Sequence, residues 1–374
     1  MHVLFAGGGT GGHVMPALAV AQALRRRDAE VRIEFVGTAS GMEAEKIPAA
    51  GYPFHAVRGA QIKGAGVFGA IAGAAQAVFG VLGAYGLLGR LRPDAVVGSG
   101  GYASFAAGMA AWMRRIPLIV VEANAVPGRA NRLLARFADL TVVPVRSAAR
   151  YLATKRVAAW GNPVRPELID RVRELRGDEH RETGPMRLFV FGGSQGARTL
   201  NNAVTDYAAS LGEGLGRAVE IRHQTGAREF EAVHAFYVER DLAVDHFAFT
   251  DDMAAAYAWA DVVLARAGGS VAEIAAVGLP SVLVPYPFAA DDHQRANAEH
   301  LAEAGAAIVV DDKDMNGAKL AEIANALAAD PDKRAAMAHA AAMLGRPHAA
   351  DYIAQTVIAL AKREARPQFP EDVA

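Results

Sequence analysis

Hydrophobic and polar positions follow two alternating patterns along the 374-residue chain. Short apolar runs, such as HVLFAG at 2–7 and RLFVFGG at 187–193, are followed by longer Ala-rich runs. The short runs predict strands buried on both faces, and the longer runs predict helices. Strands that alternate with helices in this way indicate parallel sheets. The predicted strands are 2–7, 31–37, 54–58, 95–99, 117–122, 140–144, 187–193, 219–226, 244–249, 261–268, 280–287 and 307–310.

Both halves of the chain begin with the same arrangement. The strand HVLFA leads into GGGTGGH at 7–13, and the strand RLFVF leads into GGSQGAR at 192–198. A strand, a glycine-rich turn and a helix in this order are typical of the start of a Rossmann-like unit. We therefore predict an α/β protein with two Rossmann-like, doubly wound parallel-sheet domains that face a cleft. They cover residues 1–163 and 164–344, and a final helix within 345–374 packs back on the first domain.

The segment 64–89 carries no charged residue. It is long enough for a membrane span, but its glycine and alanine content disfavours insertion, and a predicted strand follows directly at 95–99. Two interpretations are therefore favoured over a span: a buried crossover helix, or a helix partly exposed on a membrane-facing surface. Apolar residues at helical spacing next to arginines suit an anionic bilayer. The predicted membrane patch consists of Phe68, Ile71, Phe79, Arg90, Arg114 and Arg115.

The composition excludes several classes of protein. The absence of cysteine excludes disulfides, thiol catalysis and cysteine-bound metals. A net charge of −1 provides no global field that would attract nucleic acid. The N-terminal MHVLFAGGGTGG lacks the basic and long apolar regions of a signal peptide, so we expect cytosolic synthesis without export. We predict no nucleic-acid partner, no cofactor and no metal, and we interpret the DKD string at 312–314 as a helix start.

The first glycine-rich turn contains the G-x-G-x-x-G spacing at Gly7, Gly9 and Gly12. A nicotinamide cofactor would also need an acidic residue after the second strand, and that strand ends in Thr-Ala-Ser. The N–H groups at the start of a helix still provide a good anion site. His13 stands at this helix start, where a neutral imidazole could accept a proton. The alternative is a loop histidine bonded to the backbone.

The region 249–298 offers three strand ends at one edge of a sheet, followed by polar side chains. In open α/β folds ligands bind at this edge. A carboxylate such as Glu273 suits two vicinal ribose hydroxyls, and His293 with Gln294 suits sugar hydroxyls. These residues predict a nucleotide-sugar site. The spacing of Ser270 and Glu273 is also that of a capping box, which closes a helix start without any ligand, so both roles of Glu273 stay open.

Six motifs in this order resemble the MurG family: GGGTGGHVMPALAVA, GNPVR, GGSQGAR, DDMAAAYAWADVV, AEIAAVGLPSVLVP and HQRANA. The resemblance extends from residue 2 to about residue 360. It implies a GT-B fold and an inverting, metal-independent hexosyltransferase. That family transfers N-acetylglucosamine from UDP-GlcNAc to the C4 hydroxyl of N-acetylmuramic acid in lipid I, giving lipid II for peptidoglycan synthesis. It also implies a peripheral protein on the cytoplasmic face of the plasma membrane, with an anionic membrane surface and cell-wall synthesis and division proteins as partners.

The resemblance assigns roles to the residues that match its motifs. His13 would be the base that takes the proton of the acceptor hydroxyl. The loops for the acceptor and the diphosphate would contain Gly9, Gly12, Gly101 and Tyr102. The donor-binding residues would be Thr10, Gly11, Gly12, Asn124, Arg165, Ser194, Thr250, Met253, Gly269, Ser270, Glu273, His293 and Gln294.

Two features depart from the family pattern. Ala123 stands where the family commonly has glutamine, and the loop between Arg266 and Glu273 is one residue shorter than usual. Three other classes stay open as alternatives. They are another GT-B transferase with a lipid or natural-product acceptor, a nicotinamide-dependent oxidoreductase, and a non-catalytic module that binds nucleotide-sugars.

Overall fold

The structure is a computed structural model that divides into two compact units. It describes the chain except residues 10, 58–66, 178–183, 194, 212–217, 366, 368 and 370–374, and for residues 67–75 it describes the backbone only. Unit 1 comprises Met1–Pro166 and Arg346–Ala374, and unit 2 comprises Glu167–Gly345. Unit 1 is therefore built from both ends of the chain, and unit 2 from one continuous segment.

Unit 1 contains a seven-stranded sheet in the order β3-β2-β1-β4-β5-β6-β7. The strands are β1 His2–Ala6, β2 Arg32–Thr38, β3 Phe54–Val57, β4 Ala95–Gly98, β5 Leu118–Val121, β6 Leu140–Val142 and β7 Val157–Ala158. The helices are α1 Gly11–Arg27, α2 Glu43–Ala49, α3 Val67–Leu91, α4 Gly101–Met113, α5 Arg129–Leu134 and α14 Ala349–Ala361. All pairings are parallel. The strand order reverses between β1 and β4, which is where open α/β sheets bind ligands.

The last helix of the chain, α14, packs into the core of unit 1. Ile353 and Val357 of α14 are fully buried in one cluster with Val3 of β1 and Leu24 of α1. Burial of a side chain of this size stabilises a fold by about 1.5–3 kcal/mol. Asp351 of the same helix forms an ion pair of 3.2 Å with Arg27, so α14 is held by apolar packing and by charge.

Unit 2 contains a six-stranded sheet in the order β10-β9-β8-β11-β12-β13. The strands are β8 Met186–Phe191, β9 Val219–Gln224, β10 Asp245–Phe247, β11 Val262–Ala265, β12 Ser281–Leu283 and β13 Ala307–Val309. The helices are α6 Pro166–Arg176, α7 Arg198–Leu211, α8 Phe230–Glu239, α9 Met253–Trp259, α10 Ser270–Ala276, α11 His293–Glu303, α12 Gly317–Ala329 and α13 Pro331–Leu344. Its pairings are also parallel. The order reverses between β8 and β11, as it does between β1 and β4.

The predicted strands all occur, although several are shorter than their apolar runs. The run at 280–287 forms a strand only over Ser281–Leu283. Val284 remains buried and bonds through its N–H to the carbonyl of Ala265, so the chain stays apolar beyond the end of the strand. The sequence did not reveal β7, because a strand of two residues is too short to show a pattern.

Helix α3 resolves the alternatives for the uncharged segment. Ala84, Leu87 and Leu88 are buried against α4 in the core of unit 1, as expected of a crossover helix. Val78, Phe79 and Leu82 are exposed, and Phe79 is 73% exposed. None of the helices in the described part of the chain has the length and apolar character needed to cross a bilayer. The helix thus packs as a crossover and also presents an apolar surface to solvent.

Unit 2 contains a fully buried histidine, His223. Asn201 donates through its amide nitrogen to Thr225 and Glu229, so its Oδ1 is left to accept from His223 Nε2 at 3.0 Å. The other ring nitrogen, Nδ1, lies 2.8 Å from the Tyr237 hydroxyl, which donates to it. Burial, and after it the charge of His246, lowers the pKa of His223 to about 3. The neutral ring is therefore built into this network.

Acid should destabilise unit 2 through His223. The unfolded chain binds a proton on this residue near pH 6.5 and the folded chain near pH 3. Between these values the unfolded state carries the extra proton, so the free energy of unfolding falls as the pH falls, by about 1.4 kcal/mol per pH unit. Urea unfolding between pH 7 and pH 4 should show a shallower dependence in His223→Gln than in wild type. The exposed His234→Gln is the control, and equal slopes in all three proteins would contradict the prediction.

Candidate active site

In unit 1 the glycine-rich turn after β1 lies against the turn after β4. A Cβ built on Gly7 would lie 2.0 Å from the hydroxyl oxygen of Ser99, and one on Gly101 would lie 2.6 Å from the carbonyl oxygen of Gly8. Gly101 also has a φ of 81°, which residues with a side chain rarely adopt. Only glycine fits at Gly101, because the backbones of the two turns touch there, and the Ser99 side chain fills the space beside Gly7.

His13 lies in the first turn of α1. Its Nδ1 is 2.9 Å from the carbonyl oxygen of Gly8. A carbonyl oxygen only accepts, so Nδ1 of the neutral ring carries the proton and Nε2 presents a lone pair. Nε2 lies over Gly100, where a Cβ would come within 2.8 Å of it. One nitrogen of His13 therefore bonds to the backbone, and the other is able to accept a proton.

Glu43, which the sequence did not reveal as a site residue, is a carboxylate buried beside the same turn. Its Oε2 accepts a hydrogen bond of 2.8 Å from the N–H of Gly9, and its Oε1 accepts two of 2.8 Å from the N–H and the hydroxyl of Thr38. Burial by itself raises the pKa of the Glu43 carboxyl, but these hydrogen bonds outweigh it and hold the pKa below its ordinary value. Its only sequence signal is an acidic residue in the first turn of a short helix.

The other predicted residues of the acceptor and diphosphate loops lie at the same edge of the sheet. The glycines predicted for these loops are Gly9 in the turn after β1, Gly12 at the start of α1 and Gly101 at the start of α4. Gly11, a predicted donor-binding residue, is the first residue of α1. Thr10 lies outside the described residues. Tyr102 is the second residue of α4, and its hydroxyl donates to the carbonyl oxygen of Gln76 at 2.5 Å. Burial raises the pKa of Tyr102, so this hydroxyl is a proton donor that is already engaged by α3.

Arg165 lies one residue before α6. Its Nε is buried and has no hydrogen-bond acceptor among the described residues. A buried guanidinium nitrogen without an acceptor carries an unfavourable desolvation free energy, which an anion would relieve.

In unit 2 the turn after β8 packs against the turn after β9. A Cβ built on Gly196 would lie 2.1 Å from the carbonyl oxygen of Thr225, and the φ of Gly196 is 75°. Gly226 has a φ of 80°, and its Cβ would lie 2.4 Å from the nitrogen of Gly196. Ser194 lies outside the described residues. The described part of this turn is thus fixed by close backbone contact.

The predicted capping box at Ser270 and Glu273 is wrong. Helix α10 starts at Ser270, its N-cap is Gly269, and no side chain caps it. The Glu273 carboxylate instead accepts a hydrogen bond of 2.9 Å from the hydroxyl of Tyr257 on α9. Tyr257 lies 16 residues earlier in the chain, so a local pattern could not reveal this partner. The side chain of Glu273 is therefore held by a neighbouring helix and does not close its own.

The DKD string at 312–314 lies near the ends of β11 and β12 in unit 2, where it contacts Arg266. It forms a short 3-10 helix over Asp312–Asp314, which agrees with the predicted helix start. Asp312 Oδ1 pairs with Arg266 at 2.5 Å, and Arg266 also donates to the carbonyl oxygen of Val284 at 3.1 Å. Arg266 is thereby fixed across the ends of β11 and β12.

Two of the predicted donor-binding residues, Thr250 and Met253, lie just before and at the start of α9. The N–H of Thr250 donates to the side-chain oxygen of Gln224 at 3.2 Å, which ties it to the end of β9. Asp252 caps α9 by accepting from the N–H of Ala255 at 2.9 Å, and Met253 is the first residue of that helix. The backbone of this loop is therefore held from both sides.

The predicted sugar-binding pair lies at the start of α11. His293 Nδ1 donates to the carbonyl oxygen of Ala290 at 2.8 Å, and Gln294 accepts from the N–H of Tyr286 at 3.0 Å. A Cβ on Gly268 would lie 3.8 Å from the amide nitrogen of Gln294, so this residue is near the turn before α10. Asp291 and Asp292, just before the helix, both have left-handed backbone angles, with φ of 52° and 51°. Such angles are strained for residues with side chains and cluster at functional sites.

Comparisons with known proteins show the family of the chain. The N-terminal domain of glycosyltransferase family 28 matches residues 3–143, and its C-terminal domain matches residues 187–353. A protein of Anaeromyxobacter sp. (strain K) is 42% identical over 97% of this chain and 94% of its own length. One of Geobacter sulfurreducens is 39% identical over 97% of this chain and its full length. Both are named UDP-N-acetylglucosamine--N-acetylmuramyl-(pentapeptide) pyrophosphoryl-undecaprenol N-acetylglucosamine transferase.

A solved structure completes the comparison. The crystal structure of MurG from Acinetobacter baumannii has a TM-score of 0.76 and 28% identity, and the match covers 96% of this chain and 99% of that one. The chain belongs to the MurG family. The predicted fold class, GT-B with two Rossmann-like parallel-sheet domains, is confirmed. A putative UDP-N-acetylglucosamine 2-epimerase from Listeria monocytogenes, at 17% identity and a TM-score of 0.69, shares the fold.

This MurG-family chain positions Asn124 through Glu122, a second buried carboxylate that the sequence analysis missed. Glu122 Oε1 accepts from the N–H of Asn124 at 2.8 Å and from its amide nitrogen at 3.2 Å. Glu122 Oε2 accepts from the N–H of Gly128 at 3.0 Å and from the amide of Asn131 at 2.9 Å. The loop after β5 is therefore wrapped around one carboxylate, and Ala123 is buried within it.

The predicted membrane patch of this MurG-family chain is described in part. The side chains of Phe68 and Ile71 lie outside the described residues, while Phe79 and Arg90 are exposed on α3. Arg115 is exposed just after α4.

Arg114, at the end of α4, is bound to the protein. Its guanidinium stacks 3.8 Å from the ring centre of Tyr85, and its Nε donates to the Tyr85 carbonyl at 2.8 Å.

Within the described residues of this MurG-family chain, no group of three His, Asp or Glu is arranged to hold a metal.

Proposed function

We propose that this chain transfers N-acetylglucosamine from UDP-GlcNAc to the C4 hydroxyl of N-acetylmuramic acid in lipid I, which gives lipid II. Relatives that match nearly its whole length carry the name of that transferase. The observation that carries the proposal is the state of His13, whose Nδ1 is committed to the Gly8 carbonyl and whose Nε2 is left with a lone pair. A base with this geometry is what attack by a hydroxyl requires.

In the proposed reaction the C4 oxygen forms a bond to the anomeric carbon of GlcNAc from the face opposite UDP. The bond from that carbon to the diphosphate oxygen breaks, and UDP leaves with the electron pair. The hydroxyl proton passes to Nε2 of His13. Because attack and departure are on opposite faces, the anomeric centre inverts and a β-1,4 bond results.

The donor would bind mainly through unit 2. Glu273 would accept hydrogen bonds from the two ribose hydroxyls, in a carboxylate orientation already set by Tyr257. The loop at Thr250 and the start of α9 at Met253 would hold uracil. His293 and Gln294 would contact the hydroxyls of GlcNAc, and Gly269 and Ser270 at the start of α10 would offer backbone N–H groups to the diphosphate.

Several groups would stabilise the negative charge on the departing diphosphate. Arg165 has a buried nitrogen without an acceptor among the described residues, and Ser194 follows the glycines after β8. Thr10, Gly11 and Gly12 would add the N-terminus of α1. Donors that are oriented before the reaction stabilise developing charge without reorganisation. Asn124, oriented by Glu122, would contact the donor sugar.

The test is a transfer assay with UDP-GlcNAc and a short-chain lipid I analogue, read by the mass of the product. We expect the disaccharide product with UDP-GlcNAc and none with UDP-GalNAc. Release of UDP without this product would support the proposed donor site and contradict the proposed acceptor. Donor binding without any turnover would identify a binding module, and absence of donor binding would overturn the proposal altogether.

We infer that the chain works as a peripheral protein on the cytoplasmic face of the plasma membrane, through the exposed apolar surface of α3. Val78, Phe79 and Leu82 are exposed together on that helix, and Arg90 follows on it. Apolar side chains insert into the interface, and cations favour anionic lipids. The acceptor is lipid-linked, so contact with the bilayer would bring it to unit 1. Cell-wall synthesis and division proteins are the partners proposed there.

Replacing Val78 and Phe79 by Asp should weaken binding to vesicles that contain anionic lipid by about tenfold or more, because apolar burial is lost and charge repulsion is added. Co-sedimentation with vesicles measures this. Turnover with a water-soluble lipid I analogue should stay unchanged. The control is Val238→Asp, which alters a similarly exposed valine of unit 2 (62% against 58% for Val78). Equal vesicle binding by both variants would argue against this surface.

A further inference from the structure

Glu43 and His13 bond to the same peptide group from opposite ends. The peptide that joins Gly8 to Gly9 has one carbonyl and one N–H. Its carbonyl oxygen, on Gly8, accepts from His13 Nδ1 at 2.9 Å. Its N–H, on Gly9, donates to Glu43 Oε2 at 2.8 Å. A carboxylate, a peptide and an imidazole therefore form one continuous chain of hydrogen bonds.

The carboxylate of Glu43 is enclosed by glycines from separate segments. A Cβ on Gly8 would lie 2.0 Å from Oε1, one on Gly41 would lie 2.1 Å from Oε2, and one on Gly37 would lie 2.4 Å from Cγ. Glu43 is only 1% exposed. In such an enclosed place, with little water to screen it, a negative charge acts strongly on neighbouring dipoles.

We propose that Glu43 is a positioning residue that acts on His13 through the Gly8–Gly9 peptide. It fixes the orientation of the peptide, which fixes the ring of His13 with the proton on Nδ1 and the lone pair on Nε2. Its charge also polarises the peptide, so the Gly8 carbonyl becomes a stronger acceptor and stabilises the imidazolium that forms when Nε2 takes a proton. This inference rests on the proposed role of His13 as the base.

The arrangement does for His13 what a directly bonded carboxylate does for the histidine of a Ser-His-Asp triad. The difference is one inserted peptide, which transmits polarisation but no proton. The proton of the acceptor hydroxyl goes to Nε2, the proton on Nδ1 stays in place, and Glu43 remains ionised throughout. Thr38 keeps the far oxygen of Glu43 in position through its N–H and hydroxyl.

The decisive variant is Glu43→Gln. Three donors face the carboxylate, two of them backbone N–H groups on opposite oxygens. A glutamine amide has one acceptor oxygen, so it would leave the N–H of either Gly9 or Thr38 without an acceptor, and it would remove the negative charge. We expect kcat to fall by about 10- to 100-fold, as when a metal-bound histidine loses its outer hydrogen-bond partner. The KM for UDP-GlcNAc should change much less than kcat, because the ribose, uracil and sugar contacts proposed on unit 2 do not involve Glu43.

The matched control is Glu34→Gln. Glu34 is another buried carboxylate of unit 1, 4% exposed, on β2, and it pairs with the side chains of Arg32 and His55. It has no contact with the glycine-rich turn among the bonds described. If the loss of any buried carboxylate in this unit lowers kcat, Glu34→Gln will lower it as much as Glu43→Gln. The inference requires that it does not.

Two further measurements separate this inference from the proposed function. In the His13→Ala background Glu43→Gln should lower residual turnover no further, because it acts through His13. The ¹⁵N signals of the His13 ring should report the Nδ1–H form in wild type and a mixture of both forms in Glu43→Gln. Full kcat and an unchanged His13 signal in Glu43→Gln would overturn the inference. Near-normal turnover of His13→Ala would instead overturn the base assignment itself.

Discussion

His13→Ala should lose transfer almost completely, with kcat lower by about 10²–10⁴-fold, the contribution typical of a positioned general base. The reason is geometric. Nε2 is the nitrogen of the ring that the Gly8 carbonyl leaves with a lone pair, and alanine provides no acceptor in its place. Steady-state assays with UDP-GlcNAc and a lipid I analogue measure the loss, and titration with UDP should give a nearly unchanged dissociation constant.

The control for His13→Ala is His55→Ala. His55 is a half-buried histidine of the same unit, and it bonds to Glu34 on β2 and not to the turns at the sheet edge. It should retain wild-type kcat. Circular dichroism establishes that both variants fold. Turnover within a few-fold of wild type in His13→Ala would mean that another group removes the proton.

Glu273→Gln should raise the dissociation constant for UDP by about 10- to 100-fold. A carboxylate can accept from both ribose hydroxyls, and hydrogen bonds to charged groups contribute about 1.5–3 kcal/mol each. An amide keeps one acceptor oxygen and loses the charge. Calorimetric titration with UDP measures the change, and kcat at saturating donor should fall much less than the affinity.

Tyr257→Phe distinguishes this role from a structural one. The hydroxyl of Tyr257 donates to Glu273, while its ring packs edge-on against Phe189 and Phe191 and is kept in the variant. If Glu273 serves only to accept the hydrogen bond from the Tyr257 hydroxyl, both variants will change thermal stability and neither will change UDP affinity. If Glu273 binds ribose, Tyr257→Phe will have a small effect on affinity and Glu273→Gln a large one.

The features that the sequence predicted correctly are those that depend on residues close together in the chain. Apolar runs located the strands, and glycine spacing located the turns after β1 and β8, because both patterns arise within a few residues. A local pattern gave a wrong prediction where a distant residue was the actual partner. The spacing of Ser270 and Glu273 predicted a capping box, but Glu273 bonds to Tyr257 on another helix.

Two contacts that the sequence did not reveal join residues far apart in the chain. Glu43 bonds to Gly9, which is 34 residues away, and Asp312 pairs with Arg266, which precedes it by more than forty residues. These partners meet only because parallel strands bring the ends of distant segments to one edge of a sheet. An acidic residue next to a helix or strand is common, and nothing in its immediate sequence distinguishes a buried carboxylate that organises a loop from one that is solvated.

The position of α14 has a consequence for folding during synthesis. Ile353 and Val357 complete a core whose other members include Val3 and Leu24, so unit 1 remains open until almost the entire chain has left the ribosome. Unit 2 is one continuous segment, Glu167–Gly345, and has all its residues earlier. Domains generally fold as units during translation, with the N-terminal one first. Here the order is reversed: the middle of the polypeptide is the first part able to reach its native state, and the first residues made are among the last to be buried.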